Sequence, residues 1–193
     1  MTRRQIGLFF GSFNPVHIGH MILANFMATQ TTLDEVWLVV SPQNPFKSSG
    51  SLARDHDRLH LVELAIGDTP RLKASRVEFD LPKPSYTIDT LAVLGDKYRD
   101  YDFTLIMGSD NLASLHRWKN ANIILRDYRI QVYRRPGQEG GELATHPSVT
   151  VYDAPLMHLS ATYVRACIKG GHSIRYLVPD AVAEELEKSG LYR

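Results

Sequence analysis

A chain of 193 residues is long enough for one domain with a sizeable core and short for two. Charged residues make up 22% and the formal net charge is +1, so no acidic tail or broadly basic surface points to nucleic acid or a membrane as partner, and positive charge is expected to be local. One cysteine, Cys167, cannot close an internal disulfide and suits a reducing compartment, and no stretch approaches the ~18 apolar residues a membrane helix needs, so a soluble, cytoplasmic protein is expected.

The apolar run Ile6 to Phe10 reads as a first strand. Arg3-Arg4 ahead of it resembles the start of a signal peptide, but Gly11, Asn14 and Pro15 interrupt the run. The order strand, Gly11 turn, then a helical run from Met21 to Gln30 marks an anion site. Gly11 lets a phosphate reach the backbone, and the first helical turn offers unpaired N–H groups and a positive dipole end. His17 and His20, three positions apart, project from one face of that helix start over the same anion. A phosphate there would favour the charged form of each ring. Two other readings stand beside this one. The pair could ligate a metal, although no Cys or carboxylate lies nearby as a third ligand, or it could be a structural turn with two surface histidines.

Glu35 to Val40 is an apolar, β-branched run of strand length, a buried parallel strand that ends at Ser41-Pro42. The polar segment Gln43 to Ser51 follows as a loop at the strand's carboxyl end, where ligands bind in doubly wound sheets, and Lys47 is its cation. Asp55 to Ile66 has helical spacing through Leu59, Val62, Leu64 and Ala65. Arg58 near its start sits poorly against the dipole unless an anion faces it, and a surface salt bridge is the ordinary reading. Leu72 to Phe79 alternates like a strand and is broken by Leu81-Pro82-Lys83-Pro84. Ser85-Tyr86-Thr87-Ile88-Asp89-Thr90-Leu91 then reads as a hydroxyl-rich, capped helix start.

Phe103 to Met107 is a short strand that places Gly108 and Asp110 at its carboxyl end. An acid there commonly meets a ribose hydroxyl, and a helix cap is the competing role. Trp118 lies outside any core pattern and can stack on a flat heteroaromatic ring. Asn120 to Leu125 reads as a short helix and Arg129 to Tyr133 as a strand closed by Arg134-Arg135-Pro136-Gly137. Gln138 to Pro147 is expected to be an exposed loop before the strand Val149 to Tyr152. Ser160 is a good N-cap with Arg165 further along its helix, a hydroxyl and a guanidinium that together suit a polyphosphate. The helix Asp180 to Lys188 follows Pro179, and Gly190-Leu191-Tyr192-Arg193 is assigned a structural role. Strands alternating with helices predict an α/β fold: a Rossmann-like, doubly wound parallel sheet with helices on both faces, in a single domain over residues 1–193.

The segment Gly11-Ser12-Phe13-Asn14-Pro15-Val16-His17-Ile18-Gly19-His20 resembles the G-x-F-[DN]-P-x-H-x-G-H signature of the nucleotidyltransferase superfamily. His17-Ile18-Gly19-His20 also matches the HIGH tetrapeptide of class I aminoacyl-tRNA synthetases, which are much longer and carry a lysine-rich second motif not found here. Leu159-Ser160-Ala161-Thr162-Tyr163-Val164-Arg165 is similar to the superfamily's [IL]-S-[SA]-T-x-[IV]-R signature. Ser85-Tyr86-Thr87-Ile88-Asp89-Thr90-Leu91, Gly108 to Leu112 and Trp118-Lys119 resemble nicotinate-mononucleotide adenylyltransferases.

The resemblance covers nearly the whole chain and implies adenylyl transfer from ATP to nicotinate mononucleotide. It places Gly11, Ser12, Phe13, His17, Gly19, His20, Gly108, Asp110, Ser160, Thr162 and Arg165 against ATP, with His17, His20 and Arg165 as catalytic groups and Mg²⁺ carried on the ATP phosphates. Lys47, Ser85, Tyr86, Thr87 and Trp118 then meet the mononucleotide: Lys47 its phosphate, the helix start its carboxylate, and Trp118 its pyridine ring. A basic residue at Arg58 is implied near the active site. Members of the family often carry His where this chain has Phe46. The rival readings are a sister enzyme with another acceptor, such as phosphopantetheine adenylyltransferase or a cytidylyltransferase, and a nucleotide-binding regulatory module without turnover.

Overall fold

The computed structural model describes residues 3–42 and 52–193. Its frame is a six-stranded parallel sheet. The strands in chain order are β1 (Arg4–Gly11), β2 (Glu35–Val40), β3 (Leu72–Ser75), β4 (Tyr101–Gly108), β5 (Arg129–Tyr133) and β6 (Val149–Tyr152). Their order across the sheet is β3-β2-β1-β4-β5-β6. The chain thus winds outward from β1 to β3, returns to lay β4 against the other side of β1, and winds outward again. The crevice between β1 and β4 is where that direction reverses, and the carboxyl ends bordering it are Gly11 and Gly108.

The helices are α1 (Ile18–Gln30), α2 (Asp55–Ile66), α3 (Thr87–Lys97), α4 (Ser109–Ser114), α5 (Ala121–Asp127), α6 (Ala161–Lys169) and α7 (Asp180–Ser189). Strand alternation sends side chains to two separate cores. Val36, Leu38 and Val40 of β2 face one, with Met27 of α1, Leu61 of α2, Val164 of α6 and Val182 of α7. Trp37 and Val39 face the other, with Leu91 of α3, Leu112 of α4 and Ile124 of α5. A strand buried on both sides needs apolar residues without interruption, which is why β2 reads as a continuous run. Each such Leu or Val fully buried is worth roughly 1.5–3 kcal/mol.

Three boundaries differ from the sequence reading. α1 begins at Ile18, so Gly19 lies inside the helix, with His17 as the N-cap and His20 in the first turn. The strand expected over 72–79 stops at Ser75, and Val77–Asp80 forms a 3-10 turn closed by Phe79 N–H on the Arg76 carbonyl at 2.9 Å. β3 is an edge strand paired only with Val36 to Val39, and its partner ends at Val40, so further extension would leave ladder groups unmatched. The segment 138–147 is not a fully exposed loop. Gly141–Thr145 makes another 3-10 turn whose Leu143 and Ala144 pack on the second core.

Candidate active site

The turn that leaves β1 is shaped by an aromatic ring. Phe13 is buried at a φ of 43°, and a Cβ at Gly11 would lie 2.8 Å from that ring, so only glycine fits. Phe13 packs edge-on against Phe9 at 5.9 Å and His20 at 5.0 Å. Three distant side chains fasten the turn. Arg58 of α2 donates to the carbonyls of Ser12, of Ser41 at 2.9 Å and of Ala53 at 3.1 Å, and pairs with Asp55 at 2.7 Å. Arg165 of α6 donates to the Asn14 carbonyl at 2.7 Å, and the Tyr192 hydroxyl to Asn14 Oδ1 at 2.8 Å. Asn14 Oδ1 also accepts the Ala53 N–H at 3.0 Å. Arg58 is fully buried, so the surface salt bridge is corrected: the guanidinium faces the turn's carbonyls because they are the unpaired acceptors within reach.

His17 caps α1 from an extended conformation and His20 stands three residues in, with the two rings stacked at 3.7 Å. His20 Nδ1 accepts the His17 backbone N–H at 3.2 Å, so a neutral His20 carries its proton on Nε2 as a donor. Burial, and next the Arg135 guanidinium, push His17 down to about 4. In the free protein at neutral pH His17 is therefore uncharged, which spares the stacked rings a like-charge contact.

Around the same turn Ser160 caps α6, its Oγ accepting the Tyr163 N–H at 3.2 Å. Its own proton is left to donate outward. Thr162 Oγ1 lies 3.4 Å from Arg165. On the β4 side, Gly108 is the N-cap of α4 and Asp110 lies in the first turn, so the cap reading of Asp110 is corrected. Asp110 pairs with Arg135 at 3.2 Å, and a Cβ at Gly108 would meet the Asp110 carboxylate at 2.4 Å.

A cavity of about 320 Å³ opens at the β1/β4 crevice. Gly11 and Ser12 line it on one side, and Ser85, Tyr86, Thr87 and Trp118 on the other. His17, His20, Ser160, Thr162, Arg165, Gly108 and Asp110 are not in that lining and group instead around the turn and the ends of β4 and α6. Two clusters thus meet at Gly11 and Ser12. Lys47 and Phe46 lie outside the described residues.

Sequence reasoning gave several groups here no role of their own. Arg135 had a signal, since Arg134-Arg135-Pro136 follows the carboxyl end of β5 at the ligand edge. Lys119 lines the cavity, sits 4.8 Å over the Tyr86 ring and pairs with Asp89 at 2.8 Å. Glu78 lines it too, buried in the 3-10 turn, and nothing in its local sequence separates it from a surface glutamate.

Fold and site together define a nucleotide-binding α/β protein whose glycine turn, capped by two histidines, sits at the switch point of a doubly wound sheet. The chain belongs to the cytidylyltransferase-like family, whose model matches residues 8–167. It is 52% identical over 180 residues to the Cytophaga hutchinsonii protein named "Probable nicotinate-nucleotide adenylyltransferase", covering 93% of this chain and 94% of that one. A Flavobacterium psychrophilum protein of the same name is 47% identical, with 98% and 99% covered. The fold matches the Plasmodium falciparum nicotinic acid mononucleotide adenylyltransferase complexed with NaAD, at a TM-score of 0.81, 17% identity and 98% and 97% coverage.

Proposed function

We propose that this protein transfers the adenylyl group of ATP to nicotinate mononucleotide, giving nicotinate adenine dinucleotide and pyrophosphate, a step in NAD biosynthesis. The observation that carries the reading is the meeting of two clusters at Gly11 and Ser12. One consists of anion donors around the turn, and the other is a cavity with a helix start and an indole. The relatives' names support it. The whole chain is taken as one domain, which the single six-stranded sheet supports.

In this reading the 5′-phosphate of the mononucleotide attacks the α-phosphorus of ATP in line and pyrophosphate leaves, with no covalent intermediate on the protein. The attacking phosphate is already ionised, so a general base adds little, and the chain's task is alignment and charge stabilisation. His20 Nε2 donates to the triphosphate. His17 gains its proton as phosphate charge arrives, and the Ser160 hydroxyl and Arg165 guanidinium hold the leaving pyrophosphate. Asp110 accepts a ribose hydroxyl, and Gly108 leaves room for it. Lys47 holds the incoming phosphate, the first turn of α3 receives the pyridine carboxylate, and Trp118 stacks on the ring. Imidazole, hydroxyl, guanidinium and N–H groups around the turn suit anions better than cations, so Mg²⁺ would enter on the triphosphate oxygens. Bound there, it would supply positive charge to offset that developing on the leaving pyrophosphate.

The test is pyrophosphate release with Mg-ATP and, separately, nicotinate mononucleotide, nicotinamide mononucleotide and phosphopantetheine. Preference for the first is expected. Release with phosphopantetheine alone would keep the ATP site and overturn the acceptor pocket, and release with none would favour a regulatory nucleotide-binding module.

A further inference from the structure

We propose that Glu78 is a positioning residue for the acceptor's carboxylate, acting through Ser85 and Thr90 to set the start of α3; this rests on the acceptor reading above. Glu78 is 2% exposed, and its carboxylate takes a hydroxyl on each oxygen: Ser85 Oγ donates to Oε2 at 3.0 Å and Thr90 Oγ1 to Oε1 at 2.8 Å. Among the described residues its side-chain partners are hydroxyls, not cations.

A carboxylate only accepts, and a serine has a single proton to give. The Ser85 proton is therefore committed to Glu78, and Ser85 Oγ offers the cavity lone pairs only. It cannot donate to a pyridine carboxylate. That task passes to the main chain one or two residues on, where Tyr86 is the N-cap of α3. The Asp89 and Thr90 N–H groups already bond the Tyr86 carbonyl, at 3.0 and 3.2 Å, which leaves Thr87 and Ile88 in the first turn to face a ligand.

Ser85 precedes that cap and Thr90 lies one turn inside the helix. Glu78 bridges the two and is itself fixed by the 3-10 turn that follows β3. The bridge ties the helix start to the sheet edge. Without it the donors remain present but lose their aim. Serine at 85 thus contributes to acceptor binding through Glu78 and not by touching the carboxylate.

Steady-state kinetics on Glu78→Ala, Glu78→Gln and Ser85→Ala decide the matter, each with ATP and nicotinate mononucleotide varied in turn. Glu78→Ala should raise the KM for the mononucleotide about tenfold, the size of one lost charge-assisted hydrogen bond, and shift the KM for ATP and the kcat far less. Glu78→Gln should bring that KM back towards wild type, because the amide accepts one hydroxyl through Oε1 and donates to the other through Nε2. Ser85→Ala should match Glu78→Ala, and the double variant should add little. An unchanged mononucleotide KM in Glu78→Ala overturns the proposal. So does a Gln variant as poor as Ala, which would make charge the active property, and so does a parallel rise in both KM values. Should the wild type fail to use nicotinate mononucleotide, the acceptor reading falls. The bridge is then decided without ligand by amide exchange at Asp89 and Thr90, whose N–H groups bond the Tyr86 carbonyl: faster in Glu78→Ala and wild-type-like in Glu78→Gln if it holds, equal in all three if it does not.

Discussion

His17 and His20 differ in what their surroundings allow. His20 takes the His17 N–H on Nδ1, so a neutral ring carries its proton on Nε2. Replacing it with Ala should lower turnover by about two orders of magnitude, the usual effect of losing one preorganised donor, and an unchanged kcat would remove it from the machinery. His17, held down to about 4, carries a stability signature instead. Its unfolded value is near 6.5, so between those limits the unfolded chain binds more protons and stability rises with pH. The contribution is complete above about 6.5 and is lost as pH falls through about 4; fully expressed, it is on the order of 3 kcal/mol. Chemical denaturation from pH 7 to pH 4 should show a steeper loss in wild type than in His17→Gln, and parallel curves would contradict the assignment. Trp118 belongs to the cavity and not to the turn. Its change to Ala should raise the KM for the mononucleotide while leaving that for ATP nearly unaltered, and equal effects on both would point to a folding defect.

At the scale of elements, the parts of the fold that rest on neighbours in sequence were legible. β2 showed itself as an unbroken apolar run, α2 as helical spacing from Asp55, and the Gly11 turn as a break between strand and helix. What escaped were bonds between distant positions. Arg58 reaches Ser12, 46 residues away, and Tyr192 reaches Asn14 across 178, and no local pattern distinguishes such side chains from solvated ones. Glu78 was hidden for the same reason, inside a segment whose alternation suggests strand. Arg58→Met tests the role of that buried cation. It leaves the Ser12 and Ser41 carbonyls without their donor, at roughly 1–3 kcal/mol each, so the denaturation midpoint should fall clearly. A midpoint within error of wild type would mean that water replaces the guanidinium.

At the scale of the whole molecule, two cores on opposite faces share one sheet, and the site lies where the two halves meet. The proposed donors to phosphate come from α1 and α6, which pack on one face, and the proposed acceptor site from the start of α3 on the other. A truncation in either core should cost stability and leave the chemistry at the crevice nearly unchanged. Leu38→Ala, on the α1 face, should cost about 2–5 kcal/mol, read by urea denaturation. With ATP and mononucleotide saturating and the temperature well below the midpoint, its kcat should stay within a few-fold of wild type. A collapse of kcat there would mean that the crevice is not buffered from the core.

The clasp on Asn14 also has a consequence in time. A growing chain makes the glycine turn and both histidines within its first twenty residues, but the groups that tighten that turn, Arg58, Arg165 and Tyr192, arrive later and the last of them very late. Synthesis can lay down all six strands by residue 152 while the glycine turn still lacks Arg165 and Tyr192. A chain ended after β6 would lack Val164 and Val182 of the first core together with the two later fasteners of the turn, so that closing this face of the sheet and tightening the turn should come together, late in synthesis.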